Sequence, residues 1–235
     1  MSLIRRVFPY LTMFLTIQFL LRLSLLARSI ADIDYAASDT LQALLRGCWF
    51  DIVTASFFVL PLVMYHLALP ARLHSGRLDR RVDAGFRFGF IFTLLFDAAT
   101  EHLFWSEFST RFNFIAVDYL IYTQEVIGNI VESYPIAWII AAIALVAAVL
   151  TLANLRFLPL HVAPQPLRQR LLACAGALAA SLGLYAASSV GQAQFGDNAE
   201  AQEVSASGIY NLFYAYWHNE ISYERFYATE DKNEI

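Results

Sequence analysis

The sequence predicts an all-α polytopic membrane protein: five transmembrane helices, with two further amphipathic helices lying in the interface. Three observations predict it. Residues 8–27, 48–70, 85–107, 135–155 and 171–190 are apolar runs, each near the ~20 residues a helix needs to cross the hydrocarbon core. The chain is 58% hydrophobic and 15% charged, with mean hydropathy +0.51, outside the range of ordinary soluble domains. Its arginines fall mainly on alternate loops, the third sign of a membrane topology.

Those cations set the orientation. One side carries Arg5, Arg6, Arg72, Arg77, Arg80, Arg81, Arg87, Arg156, Arg168 and Arg170. The other carries Arg28, Arg46, Arg111, Arg225 and Lys232. Ten against five places the N-terminus and the 71–84 and 156–170 loops in the cytoplasm, and five crossings put the C-terminus outside. Asp32, Asp34, Asp39, Asp118, Glu125, Glu132 and most of the tail from Asp197 then lie on the outer face. The net charge of −4 averages a basic inner face with an acidic outer one. No basic stripe suggests nucleic acid.

The first run follows Arg5 and Arg6 like a signal peptide, but it is too long, and the sequence at 26–29 is a poor cleavage site. It reads as a retained helix. Residues 37–40, Ala-Ser-Asp-Thr, look like a helix start near the surface. The second run contains Pro61, which should kink it, and the freed carbonyl then needs a neighbouring helix or hydroxyl. The 71–84 stretch reads as a polar, Arg-rich loop. The third run ends in a dense cluster from Glu101 to Glu107, with Trp105 at interfacial depth.

Residues 111–133 read as one interfacial helix. Arg111, Asp118, Glu125 and Glu132 repeat every seven residues with Asn129 beside them, while Ile115, Tyr119, Tyr122, Val126 and Ile130 take another face. Pro135 opens the fourth run and a Pro-rich loop follows it. The fifth carries small residues, Ala173, Gly176, Ala177, Ala180, Gly183 and Ala187, which suit helix packing, within the chain more than between copies. Beyond 190 the chain turns polar, then aromatic. Ile209, Phe213, Tyr216 and Trp217 share a helical face, so a second interfacial helix is expected. The division is a membrane domain, 1–190, and a juxtamembrane helix and linker, 191–235.

Ionisable residues inside a membrane are costly and rarely idle. At 1.5 Å per residue Arg22 lies roughly 21 Å along the first helix and Asp97 roughly 18 Å along the third. Asp51 and Glu101 fall at comparable depth. These four are the candidate site: either a polar cavity where Arg22 meets a lipid phosphate, or an ion pair of Arg22 with Asp51 or Asp97 that holds the helices in register. The two readings are compatible.

Asp97, Glu101, His102 and Glu107 make a poor metal site, since His102 points about 100° from Glu101 and three or four convergent ligands are normally needed. His66, His74, His161 and His218 read as solvated interface positions. Cys48 and Cys174 sit near opposite surfaces, too far apart to bridge. No catalytic residue and no metal ligand is assigned.

Residues 111–135, from Arg111-Phe-Asn-Phe-Ile-Ala-Val-Asp to Glu132-Ser-Tyr-Pro135, resemble the loop after the third helix of lipoteichoic acid synthase-like phosphoglycerol transferases of Gram-negative bacteria. Ala199-Glu-Ala-Gln-Glu-Val, Gly208-Ile-Tyr-Asn-Leu-Phe and Asn219-Glu-Ile-Ser-Tyr-Glu-Arg-Phe-Tyr227 resemble the stretch before that family's catalytic domain, and Gly47-Cys-Trp-Phe-Asp51 the start of its second helix. The resemblance implies an inner-membrane location and an extracytoplasmic sulfatase-type domain of the alkaline phosphatase superfamily. Such a domain uses a threonine nucleophile and a divalent metal, commonly manganese. It takes glycerophosphate from phosphatidylglycerol and passes it to a glycolipid, polymer or periplasmic glucan. That domain is expected beyond Ile235, which makes this chain a membrane-anchoring and lipid-presenting half, inactive alone, with membrane lipids and the catalytic domain as partners. The alternative is a stand-alone membrane scaffold that regulates a separate periplasmic enzyme.

Overall fold

A computed structural model describes residues 2–29, 37–121, 123–160 and 162–218. Asp32, Asp34, Tyr122, His161, the side chains of Glu125 and Val126, and the 219–235 tail lie outside the described residues. Every regular element among the described residues is a helix, and none is a strand. In order they form α1 Ser2–Ser29, α2 Ala37–Phe58, α3 Leu60–Ala68, α4 Arg77–Phe108, α5 Phe114–Ile121, α6 Thr123–Ser133, α7 Ile136–Phe157, α8 Leu167–Ala186, α9 Ala199–Ser205 and α10 Gly208–His218. Two short 3₁₀ turns, Ala71–Leu73 and Val190–Ala193, join them.

Among the described residues three stretches are long and apolar enough to cross a membrane: Leu3–Ser29, Ala37–Ala68 and Ile136–Phe157. The second is α2 and α3 read as one rod. It starts at Ala37, where the sequence marks a helix start, and runs straight into the apolar run. The rod breaks at Val59, two residues before Pro61. Pro61 has no N–H to continue the ladder, and the Ser181 hydroxyl of α8 lies 3.0 Å from the Ser56 carbonyl at the break. The carbonyl that Pro61 leaves without its helical N–H is that of Phe57, one residue further on.

The long helices alternate in direction, so one end of the bundle gathers the turns at 69–76 and 158–166 with the arginines that flank them, Arg72, Arg77, Arg80, Arg81, Arg156, Arg168 and Arg170. The opposite end gathers the start of α2, the end of α4, α5, α9 and α10. At the centre, Phe14 of α1, Ala55 of α2, Leu94 of α4 and Ile209 of α10 form one apolar cluster. Nearer the opposite end Leu21, Leu25 and Leu26 pack with Ala43, Trp105, Phe195, Ala201 and Val204. Phe50 and Val53 pack with Ala193, Ala206 and Tyr210. Residues 193–210 are therefore a strap tucked into the bundle, built into the same core as α1 and α2. In contrast, α7 lies on the outer side of α4 and leaves most of its apolar surface bare; Trp138 is 78% exposed.

Four expectations need correction. The 71–84 loop is mostly helix: α4 begins at Arg77, because Asp79 and Asp83 turn inward and pair with Arg6 and Arg87. The helix expected from Arg111 begins at Phe114. Ser109, at φ 54°, ends α4 in the left-handed conformation, and the Asn113 side-chain oxygen accepts the Ile115 N–H at 2.9 Å to open α5. His66 and His74 are buried, packed edge to face with ring centroids 5.0 Å apart, and not solvated; His218 is exposed. The small-residue face of α8 is split, since Ala173 and Ala177 are half-buried while Gly176, Ala180, Gly183 and Ala187 face outward.

Candidate functional site

A layer of buried charge crosses the bundle near its opposite end. Arg22, on α1, extends its guanidinium towards α2, where Gly47 leaves the room; a Cβ at 47 would overlap that guanidinium. Its Nη2 donates to Asp51 Oδ2 at 2.8 Å. Its Nη1 donates to the carbonyls of Val204 and, at 2.7 Å, Ala206. One arginine thus ties α1 and α2 to the strap. The carbonyls matter because α9 ends at Ser205 and the chain turns before Gly208, leaving acceptors that no helical N–H reaches.

The second half of the layer is built by the same device. Arg111, in the turn after α4, pairs with Glu101 through both Nε and Nη2, the latter at 3.0 Å. Gly208 clears the space for that carboxylate, since a Cβ there would overlap it. The Arg111 N–H also donates to Glu203 Oε2 at 3.0 Å. Burial pushes the Glu203 carboxyl above its ordinary 4.5, the Arg111 N–H and charge opposing that rise. Glycine is needed at 47 and 208 because charged groups fill the space a side chain would take.

The structure therefore brings Arg22 and Asp51 together but gives Glu101 to Arg111 and Asp97 to Gln18, whose Nε2 lies 2.9 Å from Asp97 Oδ2. The ion pair of Arg22 with Asp51 is formed, and Arg22 has no exposed surface in this arrangement. Sequence reasoning missed Arg111, Gln18 and the strap carbonyls. Gln18 carried a signal, one turn before Arg22 on the same face. Arg111 was masked by a heptad spacing that fits a helix starting earlier than the real one. Arg22 Nε, Asp51 Oδ1, Gln18 Oε1 and Arg111 Nη1 are enclosed without a protein partner, as atoms beside internal water commonly are.

A second charged layer stands at the arginine-rich end. Arg6 grips Asp79 through two parallel bonds of 2.9 and 2.7 Å. Asp79 also accepts from Tyr65 Oη at 3.1 Å and from the Ser75 N–H at 2.7 Å. Arg87 reaches Asp83, the Asn154 side chain and, at 2.7 Å, the Leu158 carbonyl, fastening α7 to α4. Arg170 donates to the carbonyls of Leu67, at 2.9 Å, and Leu69, closing the end of α3.

Neither layer has the form of a catalytic centre. Every buried carboxylate in them already has a cation or an amide against it. Among the described residues no three His, Cys, Asp or Glu side chains converge as metal ligands. Asp97 and Glu101 are engaged as above, and His102 Nε2 lies 3.2 Å from Arg28 Nη1. No chemical step is assigned to the manganese that the resemblance implies. In the first layer Arg22 and Arg111, with Asp51, Glu101 and Glu203, link the strap to α1, α2 and the end of α4. No family model, curated protein or solved structure matches this chain.

Proposed function

We propose that the chain is a five-span inner-membrane domain that fastens a periplasmic unit to the bilayer, in a phosphoglycerol transferase-like enzyme moving glycerophosphate from phosphatidylglycerol to a periplasmic acceptor. The observation that carries the reading is the strap. Buried ion pairs are poor sources of stability but good devices for fixing one geometry, and here they are spent on residues 203–206, the segment that leads out of the bundle. A fixed exit sets where whatever follows residue 218 can stand relative to the membrane.

Five crossings are supported by lengths: α4 has 32 residues and α8 has 20, or about 48 and 30 Å at 1.5 Å per residue. The charges of α4 need not oppose insertion, because Asp79, Asp83, Arg87 and Glu101 face the interior with partners. Around the strap, α5 and α10 present Leu120, Ile121, Phe213, Tyr216 and Trp217 outward, a composition suited to the outer membrane interface. The arginine bias supports a periplasmic position for this end.

The test uses a chromosomally tagged N-terminus, mild-detergent capture and labelled phosphatidylglycerol with manganese. Captured transfer activity in a species heavier than 26.5 kDa supports the reading. Activity that separates from a 26.5 kDa band moves the chain to the scaffold reading. No captured activity removes the transferase link, and release by alkaline carbonate removes the membrane assignment itself.

A further inference from the structure

The helices α3 and α4 diverge on one side of the bundle and leave a groove of about 540 Å³, within the roughly 300–1,000 Å³ of ordinary ligand sites. Its floor is Tyr10 and Leu62, both buried, and its rim is Pro61, Gly85, Gly89 and Thr93, all exposed. One sequence feature opens it: Gly85 and Gly89, one turn apart, remove the wall that side chains on α4 would build. A Cβ at either glycine meets nothing within 4 Å.

The groove is apolar, runs along α4 from Val82 to Thr93, and is therefore about 16 Å long. That is half the ~30 Å hydrocarbon core, the depth of a single leaflet. It ends beside Arg81, one turn before Gly85. Arg77, Arg80 and Arg81 are exposed, and none forms an ion pair among the described residues. Asp79 and Asp83 in the same turns are neutralised within the bundle, so the surface at the groove's mouth is cationic.

We propose that this groove is a binding site for one acyl chain of an anionic phospholipid of the leaflet at the arginine-rich end, with the headgroup phosphate held by Arg81. It is a second lipid site, remote from the strap and unrelated to Arg22. It rests on the membrane assignment above but not on the transferase reading. The apolar wall selects a chain and the arginine selects a negative headgroup.

The experiment reconstitutes the chain in nanodiscs with acyl-diazirine phosphatidylglycerol or the matching phosphatidylcholine and maps crosslinks by peptide. Labelling at residues 58–65 and 82–93 is expected at least threefold higher with phosphatidylglycerol. Gly89→Leu, which fills the groove, lowers it fivefold or more, and Gly85→Leu serves if that variant fails to fold. Arg81→Gln brings phosphatidylglycerol down to the phosphatidylcholine level. Gly183→Leu, on the bare face of α8, leaves labelling unchanged. Equal labelling by the two lipids, no effect of groove filling, or full displacement by inorganic phosphate would overturn the proposal. Failure of the protein to enter nanodiscs would instead overturn the membrane assignment beneath it.

Discussion

The guanidinium of Arg22 fills the volume in which a side chain at position 47 would stand. Glycine at 47 is thus a consequence of a charge on another helix, and the carboxylate of Glu101 imposes the same condition on position 208.

Gly47→Ala is expected to destabilise the protein by about 1–3 kcal/mol, the usual cost of overpacking. Arg22 cannot step aside without leaving Asp51 or the strap carbonyls. Gly85→Ala, whose Cβ meets open space, is the control and should leave the melting temperature in detergent unchanged or slightly raised.

Glu101→Gln leaves the buried Arg111 without its counter-charge and should cost about 3–5 kcal/mol. The double variant Glu101→Met/Arg111→Met should be less damaged than either single replacement, because it removes both charges together. A double-mutant cycle on denaturation in detergent checks this, and additive losses would show that the pair is not coupled.

Arg6→Lys keeps the charge but loses the two-bond fork on Asp79. The cost should be about 1.5–3 kcal/mol, the worth of one hydrogen bond to a charged group, with Arg5→Lys silent. Thermal melts of the two variants compare them directly.

Attachment of the strap should depend on pH through Glu203. Its carboxyl titrates above the ordinary 4.5 because burial disfavours the charge. The folded form therefore prefers the proton, so this contribution to stability is complete below about pH 4.5 and is lost as pH rises through the raised value. Amide exchange over residues 199–206 should slow as pH falls through that window, after correction for intrinsic rates. Glu203→Gln should abolish that dependence.

Much of the frame was legible in the sequence because hydrophobic length is a local property. The runs at 8–27, 48–70 and 135–155 largely coincide with the three stretches long enough to span, and Pro61 marked the break between α2 and α3. Arg22 and Asp51 were matched by depth alone, which works because helical rise is constant. The rest depended on relations between distant segments. Arg111 repeats with Asp118, Glu125 and Glu132, yet a left-handed Ser109 and the Asn113 cap place it in a turn. His66 and His74 looked like boundary residues, since nothing local records that the turn after α3 folds one ring onto the other. The strap was read as a linker because its buried positions, Ala201, Val204 and Ala206, carry no periodic signal over so short a helix.

Buried charges hold the 203–206 segment, and with it the strap, to the bundle. The decisive experiment is hydrogen exchange of the 201–210 amides in nanodiscs, in wild type, Arg22→Ala and Arg77→Ala. The clamp predicts exchange at least tenfold faster in Arg22→Ala and unchanged in Arg77→Ala, with α7 protected in all three. Equal protection of 201–210 in Arg22→Ala and wild type, at equal folded levels, would contradict it.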